Sequence, residues 1–109
     1  MPKEIRRVRA ITSALTLHEI LTGARRAGKP DLVSLYRNLL GSFPNLYFVP
    51  FDANVADISS DLRARYGIRT PDAIQVATAI HQRADAFVTN DEGLLRIKEI
   101  KITLPRAAG

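Results

Sequence analysis

Short apolar runs and longer helical patterns alternate along this chain. The short runs are rich in β-branched and aromatic residues, and turn-forming residues flank most of them, as is typical of buried strands. They predict strands over residues 8–14, 46–49, 86–89 and 100–104.

Between these runs, apolar residues recur at the spacing of one helix face. The pattern predicts helices over residues 16–27, 31–40, 52–66 and 70–84, and a short helix from residue 90 to 97. Asp52 and Thr70 are predicted N-caps, and Gly28 and Gly67 are predicted stops. In the second helix the apolar side chains form one stripe: Leu32, Leu35, Tyr36, Leu39 and Leu40.

Strands that alternate with helices predict an α/β fold, here a small and mostly parallel sheet of about four strands flanked by helices. The length of 109 residues fits a single domain over 1–109. In parallel sheets, ligands bind beyond the carboxyl ends of the strands, so that edge is where functional side chains are expected.

The amino-acid composition excludes several classes of protein and of functional site. Hydrophobic residues make up 46% and charged residues 25%, as in ordinary globular proteins. The absence of Cys excludes a disulfide scaffold, a thiolate metal site and a cysteine nucleophile. The apolar runs are too short to cross a membrane, and no apolar signal segment stands at the N-terminus. We therefore expect a cytoplasmic protein without a membrane partner.

The charge is basic, with 16 Lys and Arg against 11 Asp and Glu, a net of +5. Arginine suits phosphate because its planar guanidinium can donate two hydrogen bonds to one phosphate group. A solvated helix face is the alternative explanation of the same residues. The candidate RNA contacts are Arg25, Arg26, Arg63, Arg65 and Arg69.

Three carboxylates are the candidate functional residues. Glu19 lies just after the first predicted strand, Asp72 lies in the first turn of the fourth predicted helix, and Asp91 directly follows the strand over 86–89. In a parallel sheet they would approach one edge, where a cation such as Mg²⁺ or Mn²⁺ would offset their repulsion. Each also fits a purely structural role. Asp72 favours the positive end of a helix, Asp91 can be an N-cap, and Glu19 can be an exposed helix residue.

The chain resembles the PIN-domain family in three segments that occur in the family's order: 11–24, 70–79 and 87–91. The last segment is Phe-Val-Thr-Asn-Asp. Within the family, the resemblance is to the VapC toxins of toxin–antitoxin pairs in particular. The resemblance implies a metal-dependent endoribonuclease that uses Mg²⁺ or Mn²⁺, binds a small antitoxin protein and forms a homodimer. The family's acids map onto Glu19, Asp72 and Asp91, and Thr89 and Asn90 would support the last of them.

The family pattern begins with a strand that ends in a metal-binding Asp, and no such strand stands before Ile11. The only acid upstream of Glu19 is Glu4. We therefore expect that this chain lacks the family's first strand and helix, that two strand edges are left unpaired, and that nuclease activity is impaired. The alternative function is a catalytically silent PIN-like module that binds an antitoxin or associates with itself.

Overall fold

A computed structural model describes residues 9–105 of the chain, so Glu4 and Val8 lie outside the described residues. The chain divides after Val49 into two compact units. Each unit contains two helices of three to four turns and one pair of parallel strands. The predicted single domain therefore remains a prediction, and the two units are described one at a time.

The first unit is a strand–helix–helix–strand arrangement. Strand β1 (Ala10–Ser13) is followed by helices α1 (Ala14–Arg26) and α2 (Pro30–Ser42) and by strand β2 (Leu46–Val49). The strands pair in parallel over four residues each, from Ala10 opposite Leu46 to Ser13 opposite Val49. Parallel strands need such a crossover, because a short hairpin turn can only reverse the chain.

The two ends of α1 are fixed by local hydrogen bonds. At the start, the buried Ser13 is the N-cap, and its hydroxyl accepts the backbone N–H of Leu15 at 3.1 Å. At the end, the N–H of Gly28 donates to the carbonyl of Arg25 at 3.0 Å and that of Lys29 to Ala24 at 3.4 Å. These bonds form a Schellman motif, which needs the left-handed φ of +69° that Gly28 adopts.

Two glycines of this helix should respond oppositely to the same substitution. Gly23→Ala is expected to stabilise the protein by about 0.5–1 kcal/mol, because Gly23 is inside α1 and a Cβ there meets no atom within 4 Å. Gly28→Ala is expected to destabilise it by about 1 kcal/mol, because an L side chain is strained at positive φ. Urea unfolding of both variants measures the difference, and equal shifts would contradict the Schellman assignment.

The second unit pairs two helices with two very short strands. Helix α3 (Ala53–Tyr66) and helix α4 (Thr70–His81) are followed by β3 (Phe87–Val88), a 3-10 helix (Glu92–Arg96) and β4 (Ile102–Thr103). Strands β3 and β4 are parallel, with Phe87 opposite Ile102.

Helix α4 is the central element of the second unit. It is buried on most of its circumference, and its buried residues are Ala73, Ile74, Val76, Ala77, Thr78 and Ala79. Val55, Ser59 and Leu62 are the buried residues of α3, the helix against which α4 packs. The hydroxyl of Thr78 donates to the carbonyl of Ile74 at 2.7 Å, so this buried polar group is satisfied inside its own helix.

The predicted α/β class with parallel strands is confirmed, and several predicted elements differ in detail. Within residues 9–105 the four strands form two separate two-stranded sheets, one in each unit, instead of one sheet. Helix α4 starts at Thr70 itself, with Arg69 in the cap position, so the prediction of Thr70 as the N-cap is wrong. Residues 9–105 contain no candidate for a membrane-spanning helix.

Helix α4 also ends earlier than residue 84. Arg83 adopts a left-handed φ of +57°, and the N–H of Ala84 donates to the carbonyl of Ala79 at 2.9 Å. This is a second Schellman motif, closed here by a residue other than glycine. Ala84 therefore lies beyond the helix, because the reversal at Arg83 ends the helical hydrogen bonding.

Candidate functional site

Asp91 is held in a fixed position just after strand β3. The N–H of Thr89 donates to the carbonyl of Thr103 at 3.0 Å, which continues the strand pairing. The Thr89 hydroxyl accepts the backbone N–H of Asp91 at 3.0 Å, and Oδ1 of Asp91 accepts the N–H of Gly93 at 2.8 Å. Asp91 is thus the N-cap of the 3-10 helix, with Thr89 orienting its backbone. Asn90 is exposed between them.

Asp72 and Glu19 occupy helix positions with different surroundings. Asp72 is half-buried in the first turn of α4, directly after Pro71 and before the buried Ala73. Glu19 is exposed in the second turn of α1. Both positions agree with the structural roles that the sequence allowed, a helix-dipole contact for Asp72 and a surface residue for Glu19.

The three acids are divided between the two units. Glu19 belongs to the first unit, and Asp72 and Asp91 belong to the second. In neither unit do the described residues contain a group of three or more His, Cys, Asp or Glu side chains that could hold a metal ion. The carboxylate oxygens of Glu19, Asp72 and Asp91 are the donors that Mg²⁺ and Mn²⁺ prefer. The donor chemistry therefore fits such an ion, while neither unit alone supplies three ligands.

The candidate RNA-binding arginines have different surroundings. The Arg63 Nε donates to the carbonyl of Ile68 at 3.0 Å, which joins the end of α3 to the following loop. Arg65 pairs with Asp61 at 2.9 Å and with Glu99. Arg25, Arg26 and Arg69 are exposed. The structure thus engages Arg63 and Arg65 within the second unit, and the RNA contacts remain a prediction.

Glu99 is the centre of a polar cluster that the sequence analysis did not identify. The Tyr66 hydroxyl donates to Oε1 of Glu99 at 2.6 Å, and Arg65 pairs with Oε2. The Arg65 guanidinium lies 5.1 Å from the centre of the Tyr66 ring, within cation–π range. These contacts, Tyr66 first and Arg65 second, lower the pKa of Glu99 from 4.5 to about 2. Hydrogen bonds to Asp61 and then Glu99 raise the pKa of Arg65.

This cluster predicts a pH dependence of stability. Because the folded pKa of Glu99 is depressed, its contribution is complete above pH 4.5 and is lost as the pH falls from 4.5 towards 2. In a carboxyl ¹³C NMR titration, Glu99 should therefore have its midpoint near pH 2. Tyr66→Phe should move the midpoint towards 4.5, whereas the control Tyr36→Phe, a change in α2, should leave it in place. A midpoint near 4.5 in the unmodified protein would contradict the cluster.

Helix α2 presents apolar side chains to solvent. Leu35 is 48% exposed, Leu39 46% and Phe43, directly after the helix, 56%. Their spacing of four residues places them on one helix face. The sequence predicted one apolar stripe along this helix, made of Leu32, Leu35, Tyr36, Leu39 and Leu40. Of these five residues Leu35 and Leu39 are exposed, whereas Leu32, Tyr36 and Leu40 are half-buried, and Val33 is the buried residue of α2. Leu35, Leu39 and Phe43 together form the exposed apolar stripe of α2.

Comparison with known proteins agrees with this fold. A toxin–antitoxin complex from Klebsiella pneumoniae contains a chain that is 25% identical, with a TM-score of 0.66, 81% of this chain covered and 68% of that one. A chain in the crystal structure of VapBC2 from Rickettsia felis bound to a promoter DNA fragment is 21% identical, with a TM-score of 0.72 and coverages of 88% and 74%. No curated protein is significantly similar to the chain.

The PIN domain family model matches residues 3–100 and so extends across both units. The match includes the three segments on which the resemblance rests, together with Glu19, Asp72 and Asp91. With nearly the whole chain covered by the family model, and with structural neighbours from toxin–antitoxin complexes, the chain belongs to the PIN domain family.

Proposed function

We propose that this chain is the toxin of a toxin–antitoxin pair, a VapC-type PIN protein that binds a small antitoxin and hydrolyses RNA with a divalent metal ion. The observation that carries the proposal is the family match over residues 3–100, with Asp91 held at the exit of a parallel strand. The net charge of +5 supports a polyanionic substrate.

In this proposal Glu19, Asp72 and Asp91 hold Mg²⁺ or Mn²⁺. When bound, the ion would activate water and stabilise the leaving oxygen of the phosphodiester. Asp91 is the best prepared of the three residues. Its Oδ1 is oriented by the N–H of Gly93, and its backbone is oriented by the hydroxyl of Thr89. Hydrogen bonds of this kind fix a ligand's geometry before the metal arrives.

The antitoxin would bind the exposed apolar stripe of α2, formed by Leu35, Leu39 and Phe43. A solvent-exposed row of large apolar side chains on one helix face is a common docking surface for an amphipathic partner segment. Both structural neighbours come from toxin–antitoxin complexes, which supports an antitoxin as the partner. A homodimer is the other assembly that the resemblance implies.

The direct test is incubation of the purified chain with a structured RNA in Mn²⁺ and, separately, in EDTA. Cleavage in Mn²⁺ that is absent in EDTA is the expected result. The same preparation, mixed with the product of a small reading frame next to its gene, should form a stable complex that cleaves more slowly. Equal cleavage in both conditions would indicate a contaminating ribonuclease and would contradict the proposal.

A second candidate function is the silent binding module. It is favoured by one observation, that among the described residues neither unit contains a group of three or more His, Cys, Asp or Glu side chains that could hold a metal ion. A silent module would bind the antitoxin through α2 but would not cleave RNA in Mn²⁺. The two functions therefore differ in the cleavage arm of the experiment and agree in the complex-formation arm.

A further inference from the structure

The first unit contains a basic cavity at the end of α1 that the proposed metal ligands do not use. The cavity has a volume of about 540 Å³. Its basic lining residues are Arg25 from the last turn of α1, Lys29 from the turn that follows, and Arg37 from α2. No Asp or Glu lines it. We propose that this cavity is a phosphate-binding subsite for the RNA backbone.

The positive charge of the cavity is available to a ligand. Within residues 9–105, none of Arg25, Lys29 and Arg37 forms an ion pair with a carboxylate. Three cations around one cavity repel one another, so an anion at its centre is favoured over an empty site. Arg25 and Arg37 come from different helices, so their planar guanidinium groups can donate to different oxygens of one phosphate.

The size and the remaining lining favour a nucleotide over a small inorganic anion. A volume of about 540 Å³ lies in the range of cavities that hold small organic ligands. Val33, Pro30 and Gly28 supply apolar wall beside the charged groups, and Ser34 adds a hydroxyl. A ribose can contact the apolar part while its phosphate pairs with the arginines.

The backbone of the cavity is fixed in advance of binding. Gly28 and Lys29 donate to the carbonyls of Arg25 and Ala24, which closes α1 and sets the direction of the next helix. Arg25 and Lys29 therefore start from defined backbone positions, so only their side chains lose freedom on binding.

The cavity is separate from the acidic ligand of the same helix. Arg25 follows Glu19 by six residues, which corresponds to about 9 Å along the helix axis and to a different face of the helix. Glu19 is in the second turn of α1, and the cavity is at the C-terminal end of the helix. The proposed subsite would hold a backbone phosphate at a distance from the cleaved bond. This proposal rests on the proposed function, because that function names RNA as the ligand.

The sequence offered Arg25 and Arg26 together as RNA contacts, and the cavity narrows this pair to Arg25. Arg26 is therefore the matched control for the proposal. Arg26 is adjacent to Arg25, is exposed and belongs to the same last turn, but it does not line the cavity. Arg25→Gln and Arg26→Gln change the net charge and the end of the helix equally. A general attraction between a basic surface and RNA would be weakened equally by both variants, whereas a built subsite would be weakened only by Arg25→Gln.

The test measures binding of a fluorescent, uncleavable 2′-O-methyl RNA by anisotropy in EDTA, so that metal and cleavage play no part. Arg25→Gln and Arg37→Gln should each raise Kd by about tenfold and lower the slope of log Kd against log salt by about one. Arg26→Gln should change Kd by less than about twofold. Inorganic phosphate, added alone, should shift the backbone amide NMR signals of Lys29 and Ser34.

Several results would overturn the subsite. They are an equal loss of affinity in Arg26→Gln, no loss in Arg25→Gln and Arg37→Gln, or phosphate binding without RNA binding. Each variant should remain folded, because all three arginines are exposed, and circular dichroism measures this. The outcome is distinguishable from failure of the proposed function, because a chain that binds RNA through this cavity but does not cleave it in Mn²⁺ supports the subsite and contradicts the ribonuclease.

Discussion

Replacement of Asp91 by Asn is expected to lower the rate of RNA cleavage in Mn²⁺ by about a hundredfold or more, and Asp72→Asn should have a similar effect. Each substitution removes one carboxylate charge proposed to hold the divalent ion. Loss of roughly 3 kcal/mol of transition-state stabilisation corresponds to a factor of this size. The measurement is kcat/KM on a fluorogenic RNA, with Mn²⁺ affinity measured by calorimetry in parallel.

The chain offers a matched control for each of these variants. Asp31 directly follows Pro30 in the first turn of α2, as Asp72 follows Pro71 in α4. Asp52 is the N-cap of α3, and its Oδ1 accepts the N–H of Val55 at 3.0 Å. This is the role that Asp91 has in the 3-10 helix.

Asp31→Asn and Asp52→Asn therefore remove the same charge from the same kind of helix position. Both should retain activity within about twofold, because Asn is as good an N-cap as Asp. If they reduce cleavage as strongly as the Asp72 and Asp91 variants, the carboxylates act through helix stability and not through a metal ion. If the unmodified chain does not cleave RNA in Mn²⁺, the silent module is the correct function.

The parts of the fold that local chemistry determines were predictable from the sequence. Strand β2 was predicted with the same ends that the structure has, since Pro44 and Pro50 flank an apolar run. Helix α3 was predicted from Asp52 to Gly67, because an N-cap carboxylate and a left-handed glycine fix its two ends. The end of α4 was wrong because Arg83 adopts a left-handed conformation that its residue type does not favour.

Features that depend on distant residues could not be predicted from local pattern. Glu99 and Tyr66 are 33 residues apart, and no periodicity indicates that their side chains meet. Leu35 and Leu39 belong to a stripe with the spacing of a buried face, and only the structure shows that these two side chains are exposed. Arg25 lines the basic cavity and Arg26 does not, although the sequence analysis placed both among the candidate RNA contacts.

The exposed stripe of α2 leads to the second large effect. The double substitution Leu35→Glu and Leu39→Glu is expected to raise the Kd for the antitoxin by about a hundredfold or more, because each change places a charge where the partner's apolar side chains would pack. The free protein should lose less than about 0.5 kcal/mol per site, since both leucines are already about half exposed. Calorimetry with the antitoxin measures the first quantity, and urea unfolding measures the second.

Leu95 is the matched control for this substitution. It is 49% exposed, close to the 48% and 46% of the two leucines of α2, and it belongs to the 3-10 helix of the second unit. Leu95→Glu should leave antitoxin affinity within about twofold, because it introduces the same charge outside the stripe. Equal losses at Leu95 and in the α2 variant would show that charge alone weakens the complex. If the α2 variant instead changes a dimer into a monomer by light scattering and still binds the antitoxin, the stripe is the surface between two copies of the chain, and the proposed antitoxin site is wrong.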